Sequence, residues 1–189
     1  MSNLSVSIAT AVAALSNGGI VALPTEGVYG LSCDPRHLSS IRYLCNIKQR
    51  PEDKGFVVVA ATLEQLQDYI QPLSPEHLAL VKSTWPGPVT WIVPVKAGVS
   101  PLIHGNTDTI AVRVTAHPIL SAICQQLGAP IISTSANKSN ESPATAAEEI
   151  DQLFSINQID YILDGPLGNL NGPTEIRDLF SHAIIRPVS

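Results

Sequence analysis

Lys48-Gln49-Arg50-Pro51-Glu52-Asp53-Lys54-Gly55-Phe56-Val57-Val58-Val59-Ala60 sets a charged loop directly against an uninterrupted apolar run. Phe56 to Ala60 reads as a strand, and because its side chains are apolar at every position rather than at alternate ones, both faces need cover. Such a strand belongs to a sheet flanked by helices, which places the chain in the α/β class. Upstream, Leu38, Ile41, Leu44 and Cys45 recur at helical spacing and predict an amphipathic helix that ends close to Lys48. The basic loop therefore lies on a helix-to-strand connection.

Toward the N-terminus, Ile8, Val12 and Leu15 share a helical face that Asn17-Gly18-Gly19 terminates, and a strand follows at Gly19 to Leu23. Toward the C-terminus, Leu63 and Leu66 predict a short helix. Ser74-Pro75 supplies an N-cap and an N1 proline ahead of Leu78 and Val81, and Pro86-Gly87-Pro88 breaks the helix they open. VTWIVPV (89–95) and TIAVRV (109–114) are strand-like. His117-Pro118 starts a helix through Leu120, Ile123, Cys124 and Leu127, with Gly128 as its C′ residue. PIIS (130–133) reads as a buried strand leading into the hydroxyl- and amide-rich loop STSANKSNESPAT (133–145), and Ala146, Ile150, Leu153 and Phe154 then lie on one helical face. Strands at Asp160 to Leu163, Thr174 to Leu179 and Ala183 to Arg186 complete the pattern. Helices and strands alternate first and strands predominate last, which predicts one domain, residues 1–189, built on a mixed sheet flanked by helices. P-loop and G-x-G-x-x-G fingerprints are absent, so a standard P-loop or dinucleotide fold is not expected.

Composition narrows the function. Hydrophobic residues make up 44% of the 189 and charged residues 14%, so the chain can bury a large core. No apolar run is long enough to span a membrane and the first residues lack a basic lead-in, so a cytoplasmic protein is expected. Cys33, Cys45 and Cys124 are far apart, as are the 5 histidines, which predicts buried thiols and no protein-built metal site. A net charge of −5 disfavours a broad nucleic-acid surface. Yet Lys48, Arg50 and Lys54 cluster within seven residues, and a bound polyphosphate would relieve their mutual repulsion. Glu52 and Asp53 beside them offer the alternative of local neutralisation.

Four further segments carry chemistry. Pro24 to Leu31 (PTEGVYGL) follows a buried strand, where open α/β sheets place ligand loops, and Thr25 and Tyr29 offer hydroxyls there. Ser133-Thr134-Ser135-Ala136-Asn137 leaves the end of an apolar strand as a turn able to cradle phosphate. Arg113 is flanked by apolar neighbours and needs solvent, a carboxylate or an anionic ligand. Asn171 to Asp178 (NGPTEIRD) enters a late strand, with Arg177 and Asp178 as a candidate ion pair.

Taken in order, PTEGVYGL, KQRPEDKG, WPGPVT, AVRVTAHP, STSAN and PTEIRD resemble the YrdC family of threonylcarbamoyl-AMP synthases, in its short bacterial form, over roughly residues 6 to 186. The resemblance implies a YrdC-like fold, a twisted mixed parallel and antiparallel sheet with helices around a basic cavity. It implies an enzyme that makes L-threonylcarbamoyladenylate from L-threonine, bicarbonate and ATP and releases pyrophosphate, the first step of t6A37 formation in tRNA. TsaD, TsaB and TsaE would complete the transfer, and contact with tRNA is open. By the same resemblance, Lys48 and Arg50 match K-x-R and are the candidate catalytic residues, holding the phosphates with Lys54. Ser135 and Asn137 match S-x-N and contact the nucleotide together with Ser133. Thr25, Tyr29, Arg113 and Thr174 fall at the threonine end. Longer relatives carry a histidine where this chain has Val59, and a further C-terminal domain. Magnesium is expected to arrive with ATP, held by phosphate oxygens and water. A non-catalytic RNA-binding module and a carbamoyl-phosphate-activating domain are the competing readings.

Overall fold

The structure is a computed structural model that describes residues 3–139, 141–155 and 157–188, so Asn140 of the 133–145 loop lies outside the described residues. Among the described residues nine strands form one sheet: β1 Val21–Pro24, β2 Tyr29–Cys33, β3 Val57–Ala60, β4 Val89–Pro94, β5 Thr109–Val114, β6 Ile131–Ser135, β7 Tyr161–Ile162, β8 Glu175–Asp178 and β9 Ile184–Arg186. Their spatial order is β7-β1-β2-β6-β3-β5-β4-β8-β9. The pairs β1–β7, β3–β5 and β4–β8 are parallel and the other neighbours antiparallel, so the sheet is mixed as expected. Among the described residues six α-helices accompany it: α1 Asn3–Ser16, α2 Leu38–Ile47, α3 Pro75–Lys82, α4 Pro101–His104, α5 Pro118–Leu127 and α6 Ala147–Leu153.

Local signals act where the sequence places them. The Ser74 side chain accepts from the His77 amide at the N-terminus of α3, and Gly128 ends α5 in the left-handed conformation at φ 67°. Two expectations need correction, and one element has no counterpart among them. The short helix at Leu63 and Leu66 is a single 3-10 turn, Glu64–Leu66, whose apolar spacing serves one buried residue, Leu66. The second half of PTEGVYGL is the strand β2 rather than loop, antiparallel to β1, with every residue buried. The short α4 carries no periodic signal in its four residues, which Ser100 caps.

The register assigns the two faces different tasks. On one face, Val21, Leu23, Val59 and Ile131 form an apolar cluster with Ile8, Ala11 and Leu15 of α1 and Ile119, Leu120 and Ile123 of α5. The opposite face packs Ala22, Leu31, Val58, Val112, Ile132 and Trp91 against residues of α2, α3 and α6, including Ile41, Leu44, Val81 and Ile150. α1 and α5 do not cover the whole of their face. Farther along it, Val57, Ile92, Ala111, Arg113, Ser133 and Ile176 line a cavity instead. Val59 lies fully buried under α5 and is not part of that lining.

Candidate active site

The end of α2 aims the basic loop. Gln49 adopts φ 51°, a left-handed conformation that a side chain disfavours, and closes a Schellman turn: its amide donates to Asn46 and that of Arg50 to Cys45. Lys48 and Arg50, on either side, leave in different directions. Lys48 is 3% exposed, and its ammonium donates to the carbonyls of Ser135 (2.5 Å) and Asn137 (2.7 Å) and to Asn137 Oδ1 (3.2 Å). Arg50 folds back over its own loop, donating from Nε and Nη2 to Gly55 O, with its guanidinium 5.0 Å above the Phe56 ring. Gly55 sits at φ 56°, where an added Cβ would lie 2.6 Å from the backbone of His104. Burial pushes the Lys48 pKa down to about 8, with Arg50 adding repulsion, and burial lowers that of Arg50 as well. Among the described residues neither neighbouring carboxylate forms an ion pair with the cluster: Glu52 faces Arg42 at 3.8 Å and Asp53 lines the cavity.

A second polar group sits in the interior. Arg113, 4% exposed on the central strand β5, donates to Glu26 Oε2 (2.9 Å) and to the hydroxyls of Thr174 (3.0 Å) and Thr90 (3.4 Å). Thr115 donates to the other Glu26 oxygen at 2.6 Å. Of the partners open to Arg113, the structure selects a carboxylate. Glu26 comes from the turn between β1 and β2, where the sequence offers the hydroxyls of Thr25 and Tyr29 as candidates and no signal singles out the carboxylate. Those hydroxyls are engaged: Thr25 Oγ1 donates to Val28 O at 2.7 Å, and the Tyr29 hydroxyl donates to Gly165 O at 3.1 Å. In the late strand Arg177 pairs with Glu175 rather than Asp178, because residues two apart in a strand share a face.

The cavity between these groups measures about 380 Å³, within the range of small-molecule sites. Its lining includes Arg50, Lys54, Ser133 and Ser135 together with Thr25, Tyr29, Arg113 and Thr174. Lys48 and Asn137 stand behind the lining, joined to it through Ser135, whose hydroxyl donates to Asn137 Oδ1 at 2.7 Å. Arg186 and His104, neither of them a site candidate from the sequence, also line it. Arg186 comes from β9 and donates from Nε (3.1 Å) and Nη2 (2.7 Å) to Thr174 O. Among the described residues no group of three or more His, Cys, Asp or Glu could hold a metal ion. All three cysteines are buried and free, and burial raises the Cys124 thiol to about 12. No described helix is long and apolar enough to cross a membrane.

Comparison with known proteins gives concordant results. The family model for the Sua5/YciO/YrdC domain, described as "Telomere recombination", matches residues 13–187. A protein of Xanthomonas campestris named threonylcarbamoyl-AMP synthase is 47% identical over 178 residues, 93% of this chain and 95% of its own. E. coli YciO superposes with a TM-score of 0.84 at 27% identity, covering 100% of this chain and 91% of its own. Sua5 of P. abyssi, in a complex with L-threonine, superposes with a TM-score of 0.88 at 31% identity over 96% of this chain, which spans 54% of that longer protein. With a family model matched from residue 13 to 187 and near-full-length relatives at this level of identity, the chain belongs to the Sua5/YciO/YrdC family.

Proposed function

We propose that this chain is an L-threonylcarbamoyladenylate synthase, a nucleotidyltransferase acting on ATP, L-threonine and bicarbonate. The observation that carries this reading is the convergence of the basic loop and the Ser133–Asn137 segment, the end of β6 and the bend after it, on a cavity that Arg113 and Thr174 also line, in a chain so similar to proteins named for that activity.

The chemistry needs placement more than reactive side chains. Threonine's amine and bicarbonate condense to a carbamate with loss of water. A carbamate oxygen then attacks the α-phosphorus in line as its bond to the pyrophosphate oxygen breaks. Arg50 and Lys54 hold the β- and γ-phosphates, and Ser133 and Ser135 donate to the nucleotide, with Asn137 and Lys48 completing that wall. Charge accumulates on the leaving pyrophosphate, where fixed cations in a partly dehydrated site act most strongly. At the other end Arg113 directs N–H groups to the threonine carboxylate, and Thr25, Tyr29 and Thr174 shape the pocket for its small side chain. The cations Arg50, Lys54 and Arg186 in the lining outnumber its carboxylate, Asp53, while Arg113 is paired with Glu26, and this excess supports reading the cavity as basic.

The donor set suits a magnesium ion that arrives with ATP: Asp53 and the hydroxyls of Ser133 and Ser135 are hard oxygen ligands, too few to hold the ion without the phosphates. Such an ion would supply neutralisation of phosphate charge. The product would pass in the cytoplasm to TsaD, TsaB and TsaE for transfer to tRNA, all within one YrdC-like domain on this chain's side. The test is mass spectrometry of the product formed from ATP, threonine and isotope-labelled bicarbonate. Labelled threonylcarbamoyladenylate with pyrophosphate is expected. Salt-sensitive tRNA binding with no adenylate would instead make the chain an RNA-binding module.

A further inference from the structure

We infer that Lys48 is a positioning residue: it fixes the Ser135-Ala136-Asn137 turn from behind, and the phosphates of a bound nucleotide meet Arg50 and the groups Lys48 holds rather than Lys48 itself. The inference rests on the nucleotide reading of the cavity and assigns a different task to each cation of the basic loop.

Counting donors leads to it. An ammonium has three N–H bonds, and those of Lys48 are matched by three acceptors, Ser135 O, Asn137 O and Asn137 Oδ1. The side chain is nearly fully buried and does not line the cavity. Turning it toward a phosphate would break all three charge-assisted bonds and strip carbonyls at the root of the turn of their donor. Arg50 differs. Its three hydrogen bonds come from Nε and Nη2, so the two N–H groups of Nη1 remain for a ligand among the described residues, and its side chain lines the cavity.

The turn is held from both directions. Lys48 and the Ser135 hydroxyl converge on Asn137 Oδ1, which fixes the amide plane, and Asn137 Nδ2 then donates to Glu141 O at 2.6 Å. In return the Ser139 amide and hydroxyl donate to Lys48 O, each at 3.1 Å, and the hydroxyl also reaches Gln49 O. The left-handed Gln49 directs Lys48 inward while Arg50 stays at the cavity wall. K-x-R and S-x-N, far apart along the chain, thereby form one interlocked unit.

The experiment compares Lys48→Met, Asn137→Ala and the double variant by calorimetric titration with ATP and by amide hydrogen exchange without ligand, with circular dichroism as the check on folding. Lys48→Met should weaken ATP about tenfold and speed exchange at Asn137 and Ser139 before any nucleotide is present. The double variant should bind no worse than roughly twofold below the weaker single, because both changes remove the same arrangement. Lys48→Arg keeps the charge with a planar fork that does not suit three converging carbonyls, and it should fail to restore affinity. Unchanged affinity in Lys48→Met, unchanged exchange with lost affinity, multiplicative losses in the double variant, or rescue by arginine would each overturn the assignment. If the unaltered chain does not bind ATP, the nucleotide reading falls, while the exchange measurement still judges Lys48's hold on the turn.

Discussion

Burying an ammonium among carbonyls gives Lys48 a titration that solvated lysines lack. Its pKa is pushed from 10.5 to about 8, first by burial and then by Arg50. Below pH 8 folded and unfolded chains both carry the proton. Between about 8 and 10.5 the unfolded chain carries it and the folded chain does not, so stability arising from Lys48 rises with pH across that window, by up to about 3 kcal/mol. Function should move the other way: the neutral amine keeps two donors for three acceptors, so ATP affinity measured by titration falls from pH 7 to 9 in the natural chain and stays flat in Lys48→Met. Arg113 offers a second prediction at this scale. Replacing it by methionine leaves the Glu26 carboxylate buried with Thr115 as its remaining hydrogen-bond donor, which should cost about 3–5 kcal/mol by urea unfolding at neutral pH. That Arg113 required a partner was readable from its apolar neighbours. Which partner was not, because Glu26 lies 87 residues away and meets it only once β1 and β5 share a sheet.

At the scale of elements, the sequence announces those whose pattern is local. Caps, prolines and helical spacing located α2, α3 and α5, and apolar runs located β3 and β6. The strand β2 escaped because all five of its residues are buried, one of them the glycine at position 30, so neither alternation nor bulk marks it. Its neighbour in the hairpin turn shows what glycine does there instead. A Cβ at Gly27 would stand 2.2 Å from Gly172 O and 2.9 Å from Leu170 O, because the 166–173 loop lies backbone against backbone on the turn. The amides of Gly168 and Leu170 donate to Thr25 O and Glu26 O, both at 2.9 Å. Gly27→Ala should therefore push that loop away and carry Thr174 with it. Thermal unfolding should shift down by several degrees, and KM for threonine should rise about tenfold with KM for ATP little changed. Equal losses for both substrates would mean that the turn serves the whole cavity rather than one end.

Across the whole molecule, the division of the sheet's face into a covered and an uncovered part separates what holds the chain together from what it does. Two apolar clusters occupy the opposite face and the part beneath α1 and α5, and the cavity takes what remains. A mixed sheet with helices could be inferred from the order of apolar segments, but strand order is a property of long-range pairing, and with it the position of the cavity. The C-terminal β9 tests the division. Its residues Ile184, Ile185 and Arg186 are exposed and belong to neither cluster, yet Arg186 reaches into the cavity and holds Thr174 O. Deleting residues 183–189 should therefore leave a cooperative unfolding transition lowered by less than about 10 °C, since only an edge strand is lost. Threonine binding should weaken about tenfold, because Thr174 loses its anchor on one side while Arg113 still holds its hydroxyl on the other. A collapse of the transition would place β9 in the core, and unaltered threonine affinity would remove Arg186 from the site.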